Sequence, residues 1–245
     1  MQNVIILGAT SGIVQPLERL MAADGKELLL VGRSQERLDT LAADLASRGA
    51  RVLTCVADLS DMTQHRRVLQ FAREKFPDFD TLLLAYGTLL DQEQCQVSPE
   101  RAVEELNTNF VSAAALLTLF AGHFEARKAG TIAVITSVAG DRGRRSNYVY
   151  GAAKGGLSLF LQGLRGRMYL FGVRVLTIKP GPVHTAMTAH MKKSRMFVEP
   201  ETAARQIYRA LQDARAEVVY VPGRWKWIMR VIRAIPERSF KKLSM

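Results

Sequence analysis

At 245 residues, with 48% hydrophobic and 23% charged side chains, the chain suits one α/β domain with a sizeable core and excludes a disordered protein. The formal net charge of +11 brings nucleic acid, a membrane surface and acidic ligands into consideration, so the placement of the charge matters.

Apolar sequence begins at Val4 with no basic segment before it, and reads as a strand rather than a secretory signal. Strand-sized runs follow at Val4–Leu7, Glu27–Val31, Arg51–Val56, Thr81–Leu84, Thr131–Thr136, Val173–Ile178 and Glu217–Val221. Most are apolar at every position, as in a parallel sheet covered by helices on both faces. Between them lie segments of helical spacing, such as Leu38, Leu41, Ala42 and Leu45, or Val103, Leu106, Phe110, Ala113 and Leu117. The alternation predicts a Rossmann-type doubly wound, seven-stranded parallel sheet over residues 1–222. Residues 183–199 break the rhythm and read as a substrate lid. Residues 223–245 read as a basic amphipathic extension.

The longest apolar stretch, Ala113 to Gly122, is about half the roughly 20 residues of a membrane span. An integral membrane protein is not expected. Cys55 and Cys95 lack metal-ligand spacing and fit free thiols in a reducing, cytoplasmic setting.

The first strand runs directly into Gly8-Ala9-Thr10-Ser11-Gly12-Ile13, where a helix opens. Glycines let the backbone approach a pyrophosphate, and the helix N-terminus offers free N–H groups to it. The second strand ends in Gly32-Arg33-Ser34, without the acid that would hold a ribose 2′-hydroxyl. Arg33 can clamp a 2′-phosphate with Ser34 as a further donor, which points to NADP(H); the alternative is a solvated loop charge. Tyr150 and Lys154, four apart, share a helix face, and an ammonium there should lower the phenol's pKa. Ser137 lies thirteen residues earlier, at the end of the fifth strand.

Together these motifs resemble the short-chain dehydrogenases/reductases, in the family's order and across nearly the whole chain. Val14 stands where that family usually has a third glycine, which should shift the first helix slightly. The resemblance implies hydride transfer between a nicotinamide cofactor and a carbonyl or secondary alcohol, with Asn109, Ser137, Tyr150 and Lys154 as the catalytic set; Asn107 is the alternative to Asn109, which the aromatic and small residues that follow it favour. It further implies cofactor contacts at Asp58, Leu59, Ala85, Gly87, Pro180, Val183 and Thr185. Tyr86 replaces the usual asparagine of the Ala85-Tyr86-Gly87 turn. Subunit association through the helix carrying Tyr150 is also implied, as a homodimer or homotetramer. Gly155, Gly156 and Ala113 to Ala115 would allow close contact there.

Basic clusters at Arg142, Arg144 and Arg145, and at Lys192, Lys193 and Arg195, suit an anionic substrate; otherwise they are solvated loops. Beyond Pro222, seven basic residues against one acid give +6. There Trp225, Ile228, Met229, Ile232 and Ile235 recur at helical spacing, with Lys226, Arg230 and Arg233 opposite. Such a helix suits an anionic membrane surface, or packs on the core or a partner subunit. The C-terminal half, from Ser137-Val138-Ala139-Gly140 through Asn147-Tyr148-Val149-Tyr150 to Ile235-Pro236-Glu237-Arg238, resembles a branch that includes a decaprenylphosphoryl 2-keto-ribose reductase. That branch implies a keto-sugar bearing a phosphate or polyprenyl phosphate. A cofactor-binding sensor without turnover would need only the glycine loop. Nucleic acid is not expected, since the charge is scattered and no binding module is recognisable.

Overall fold

The computed structural model describes residues 1–192 and 194–243. Seven parallel strands form one sheet in the order β3-β2-β1-β4-β5-β6-β7. They are β1 (Asn3–Leu7), β2 (Glu27–Gly32), β3 (Val52–Val56), β4 (Thr81–Leu84), β5 (Thr131–Ile135), β6 (Arg174–Pro180) and β7 (Val218–Val221). The described helices are α1 (Gln15–Ala23), α2 (Gln35–Ser47), α3 (His65–Lys75), α4 (Gln92–Cys95), α5 (Pro99–Leu106), α6 (Ser112–Arg127), α7 (Tyr148–Tyr169), α8 (Pro200–Gln212), α9 (Arg224–Ala234) and α10 (Glu237–Phe240).

Both faces of the sheet are buried, which explains its apolar runs. Ile5, Leu7, Leu29 and Val31 pack against Val68, Leu116, Phe120 and Leu161, from α3, α6 and α7. Their neighbours Val4, Ile6, Leu28 and Leu30 face Leu17, Leu38, Leu45 and Ile207, from α1, α2 and α8. Alternate side chains of a strand point to opposite faces, so each strand feeds two cores. After β3 the chain crosses back to place β4 beside β1, with Leu7 opposite Leu84. That reversal opens a crevice at the carboxyl ends of β1 and β4.

Residues 183–199 hold one short helical turn, Ala186–Thr188, and a bridge between Val183 and Val198. The expected basic residue Lys193 lies outside the described residues. No described helix is long and apolar enough to cross a membrane.

The C-terminal extension packs on the domain. Trp225 and Met229 are buried against Val138, with Ile228 and Ile232 partly covered. Arg142, from the loop after β5, donates to the carbonyls of Ile232, Arg233 and Ile235, at 3.4, 3.0 and 2.8 Å. It also pairs with Glu237 at 2.8 Å and lies over the Phe240 ring. A cation at the C-terminal carbonyls of a helix satisfies otherwise orphaned acceptors. The apolar face expected of this helix therefore meets protein, and its outward face carries Trp227 and Val231, 62% and 66% exposed.

The glycines expected at a subunit contact face inward. A Cβ on Gly155 would stand 2.9 Å from the Gly140 oxygen, and one on Gly156 would meet Phe110 at 3.5 Å. The Gly140–Gly155 contact seats the loop after β5 on α7.

Candidate active site

A cleft of about 580 Å³ follows the crevice from Arg33 to Trp225. Its first wall is the loop Gly8, Thr10, Ser11, Gly12 and Ile13. Gly8 has φ +91°, and a Cβ there would stand 2.7 Å from the Tyr86 backbone nitrogen. Only glycine meets both demands. Gly8, Ala9, Ser11 and Val14 donate within the fold. The N–H groups of Thr10, Gly12 and Ile13 have no acceptor among the described residues. Free amides ahead of a helix are the donor set a pyrophosphate requires. Thr185 stands over this loop, its Cβ 3.3 Å from where a Gly12 Cβ would be. The Val183 N–H likewise has no acceptor among the described residues.

Arg33 lines the cleft, whereas Ser34 does not. Ser34 Oγ accepts from Arg37 N at 3.3 Å as the N-cap of α2, which ties the side chain to the helix start. Arg37, missed in the sequence, lines the cleft beside Arg33 and donates to the Thr10 carbonyl at 3.0 Å. Its spacing of four from Arg33 was the available signal. Asp58, Leu59, Ala85, Gly87 and Pro180 line the cleft as expected. The Asp58 carboxylate is held by Ser60, through N at 2.9 Å and Oγ at 2.7 Å. The Tyr86 hydroxyl bonds Ser112 at 2.9 Å.

Asn109, Ser137, Tyr150 and Lys154 all reach this cleft. Asn109 sits in a π-helical turn, Asn107–Val111, joining α5 to α6. Such turns displace the ladder and aim a side chain off the regular helix. Its amide donates to the Thr88 and Glu105 carbonyls at 3.1 Å and accepts from Thr88 N at 3.2 Å. A Cβ on Gly87 would lie 2.5 Å from Asn109 Oδ1 and 3.1 Å from Lys154 Nζ, so both groups converge there. Asn107 instead donates to the Ser60 carbonyl. Ser137 Oγ accepts from Ala139 N at 3.1 Å, which leaves its proton to donate.

Burial pushes Tyr150 up to about 12, with Ser137 opposing and the Glu105 charge adding to the rise. This corrects the expectation that Lys154 lowers it: Lys154 Nζ lies 5.8 Å from the ring centroid, and desolvation wins. At neutral pH the phenol holds its proton. Burial also brings Lys154 down to about 8, against the pull of Glu105.

Glu105 itself escaped the sequence reading, although a spacing of four from Asn109 puts both on one helix face. It is 1% exposed. Oε2 accepts from Thr88 Oγ1 at 2.6 Å, and Oε1 has no partner among the described residues. Burial raises its carboxyl despite Thr88, Leu90 and Lys154. Of the first basic cluster only Arg144 lines the cleft; Arg142 is bound to the tail and Arg145 is exposed. Lys192 and Arg195 are exposed outside it.

A sequence profile described as short chain dehydrogenase matches residues 2–196. The chain belongs to that family. An uncharacterized oxidoreductase of Mycobacterium tuberculosis is 34% identical over 241 residues, covering 98% of this chain and 96% of the relative. One from Streptomyces coelicolor is 33% identical over 245 residues, covering 99% and 96%. Among solved structures, a short-chain dehydrogenase from Sphingobium yanoikuyae in complex with NADPH superposes with TM-score 0.82 at 24% identity, over 97% of each chain. This likeness establishes the shared fold.

Proposed function

We propose that this short chain dehydrogenase is NADP(H)-dependent and reduces a carbonyl to a secondary alcohol, or runs the reverse. The observation that carries the reading is the meeting of Ser137, Tyr150, Lys154 and Asn109 beside a glycine loop with free amides, in one cleft. Arg33 and Arg37 at one end, with no acid at the end of β2, favour a 2′-phosphate.

The residues fit the cofactor. The loop amides and Thr185 would hold its pyrophosphate, Val183 N its carboxamide, and Arg33 with Arg37 its 2′-phosphate. When bound, the reduced cofactor supplies the hydride that the carbonyl carbon gains. Ser137 donates a hydrogen bond to the substrate oxygen. The Tyr150 phenol, protonated at neutral pH, gives that oxygen its proton. Lys154 stabilises the phenolate left behind, and Asn109 holds the adjoining backbone in place. Similarity to the branch described above supports a keto-sugar bearing a phosphate or polyprenyl phosphate as substrate.

The test is oxidation of NADPH with a panel of phosphorylated and plain ketoses. Tyr150→Phe should lower turnover by about 10²- to 10⁴-fold, the range for loss of a general acid, while NADPH still binds. Equal rates in wild type and variant would overturn the assignment.

A further inference from the structure

Unpartnered buried polar atoms gather at the end of the cleft remote from Arg33. They include Arg144 Nε, Trp225 Nε1 and Asn147 Oδ1, and all three residues line the cleft with Tyr150. Each such atom costs about 1–3 kcal/mol when left unbonded, so three at one mouth call for a ligand.

The guanidinium of Arg144 is short of acceptors. Nη2 donates to Met229 Sδ at 3.2 Å, a weak acceptor. Asp141, the acid whose charge acts on Arg144, is taken by the Tyr220 hydroxyl at 2.7 Å and by an ion pair with Lys179. No carboxylate pairs with Arg144 among the described residues. Burial disfavours its charged form, yet a guanidinium keeps its proton at physiological pH.

The indole of Trp225 is deliberately accommodated. A Cβ on Gly181 would fall 1.9 Å from Trp225 Nε1, so the missing side chain at 181 is the space the indole occupies. Met229, one helical turn further along α9, is the residue that Arg144 touches. Arg144 and Trp225 therefore both adjoin the face of α9 that carries Met229, with two unpartnered N–H donors and one positive charge. Asn147 adds an amide that offers either an acceptor or, turned over, a donor.

We propose that Arg144, Trp225 and Asn147 form an oxyanion subsite that takes a phosphate or carboxylate carried by the carbonyl substrate. This rests on the oxidoreductase reading above and gives the C-terminal helix a direct part in substrate recognition. Charge-assisted bonds to a planar guanidinium fork make the anion, not a neutral hydroxyl, the matching partner.

The experiment compares kcat/KM for a ketose phosphate, a 2-keto acid of equal length and the plain ketose, in wild type, Arg144→Met and Arg144→Lys. NADPH titration of each variant checks that the cleft still forms. Wild type should favour one anionic substrate over the neutral one by about 10- to 100-fold, and which anion wins separates phosphate from carboxylate. Arg144→Met should bring that ratio towards one through KM, and Arg144→Lys should restore part of it. An unchanged ratio in Arg144→Met overturns the subsite. Should no carbonyl be turned over, the oxidoreductase reading fails by itself. Calorimetry then titrates inorganic phosphate and acetate into NADPH-loaded wild type and Arg144→Met. Tighter binding of either anion to wild type upholds the subsite, and identical isotherms overturn it.

Discussion

The two ends of the cleft are built on different principles. The cofactor-loop end is built largely of backbone: Gly8 and Gly12 bring main chain close, and its donors are amides of a loop fixed by its own hydrogen bonds. The Trp225 end is made of side chains from distant segments, joined by Arg142 and Met229 contacts with the last helices. Backbone recognises what every cofactor of one class shares. Side chains carry what distinguishes one substrate from another. The contrast teaches that one end of the cleft is locally encoded, and the other is assembled from distant segments.

The contrast breaks most directly at the backbone end. Gly8→Ala should cost about 3 kcal/mol or more, because φ +91° and the Tyr86 backbone both oppose a Cβ. Thermal melts and NADPH titration would show it; a variant that binds normally would mean the loop relaxes freely. Arg33→Ala and Arg37→Ala should each weaken NADPH by about 10- to 100-fold while sparing NADH, as expected for loss of a charge-assisted contact. Equal losses for both nucleotides would remove the 2′-phosphate from the account.

Glu105→Gln tests the middle of the cleft. The Glu105 carboxylate favours charged Lys154, so its removal lets Lys154 lose its proton at lower pH. Reduction needs that charge to support the departing phenol proton, so activity is present below the limb and lost above it. The wild-type limb should lie near pH 8, and the variant's about one unit lower. A rate–pH profile with an unmoved limb would make Glu105 a structural residue only. The smallest effect belongs to the outer surface: Trp227→Ala should change stability by no more than about 0.5 kcal/mol. If it also abolishes co-sedimentation with anionic vesicles, the outward face of α9 is a membrane contact; unchanged co-sedimentation leaves that face to solvent.

Much of this was legible beforehand. The strand runs anticipated β1 to β7 within two residues at each end, because burial on both faces leaves a solid apolar signature. Tyr150 and Lys154 were paired by their spacing, whereas Asn109 was named through the resemblance alone, and the structure brings Asn109, Ser137, Tyr150 and Lys154 to one cleft. Ser34 lies outside the cleft lining because a serine before a helix serves the helix first. Arg142, Arg144 and Arg145 looked alike as a cluster, and only packing against α9 separated a helix cap from a cleft residue.

By itself, the sequence determined what repeats at short range: the sheet and helix periods, the glycine turn, and the Tyr150–Lys154 pair on one face. Tertiary structure decided what depends on contacts between distant positions. It turned the apolar face of α9 towards Val138 and slid Trp225 into the gap at Gly181. It also sank Tyr150 deep enough for desolvation to outweigh its cationic neighbour. Local patterns fix dihedrals and faces, whereas burial and charge balance are properties of everything that surrounds a group once the chain has closed.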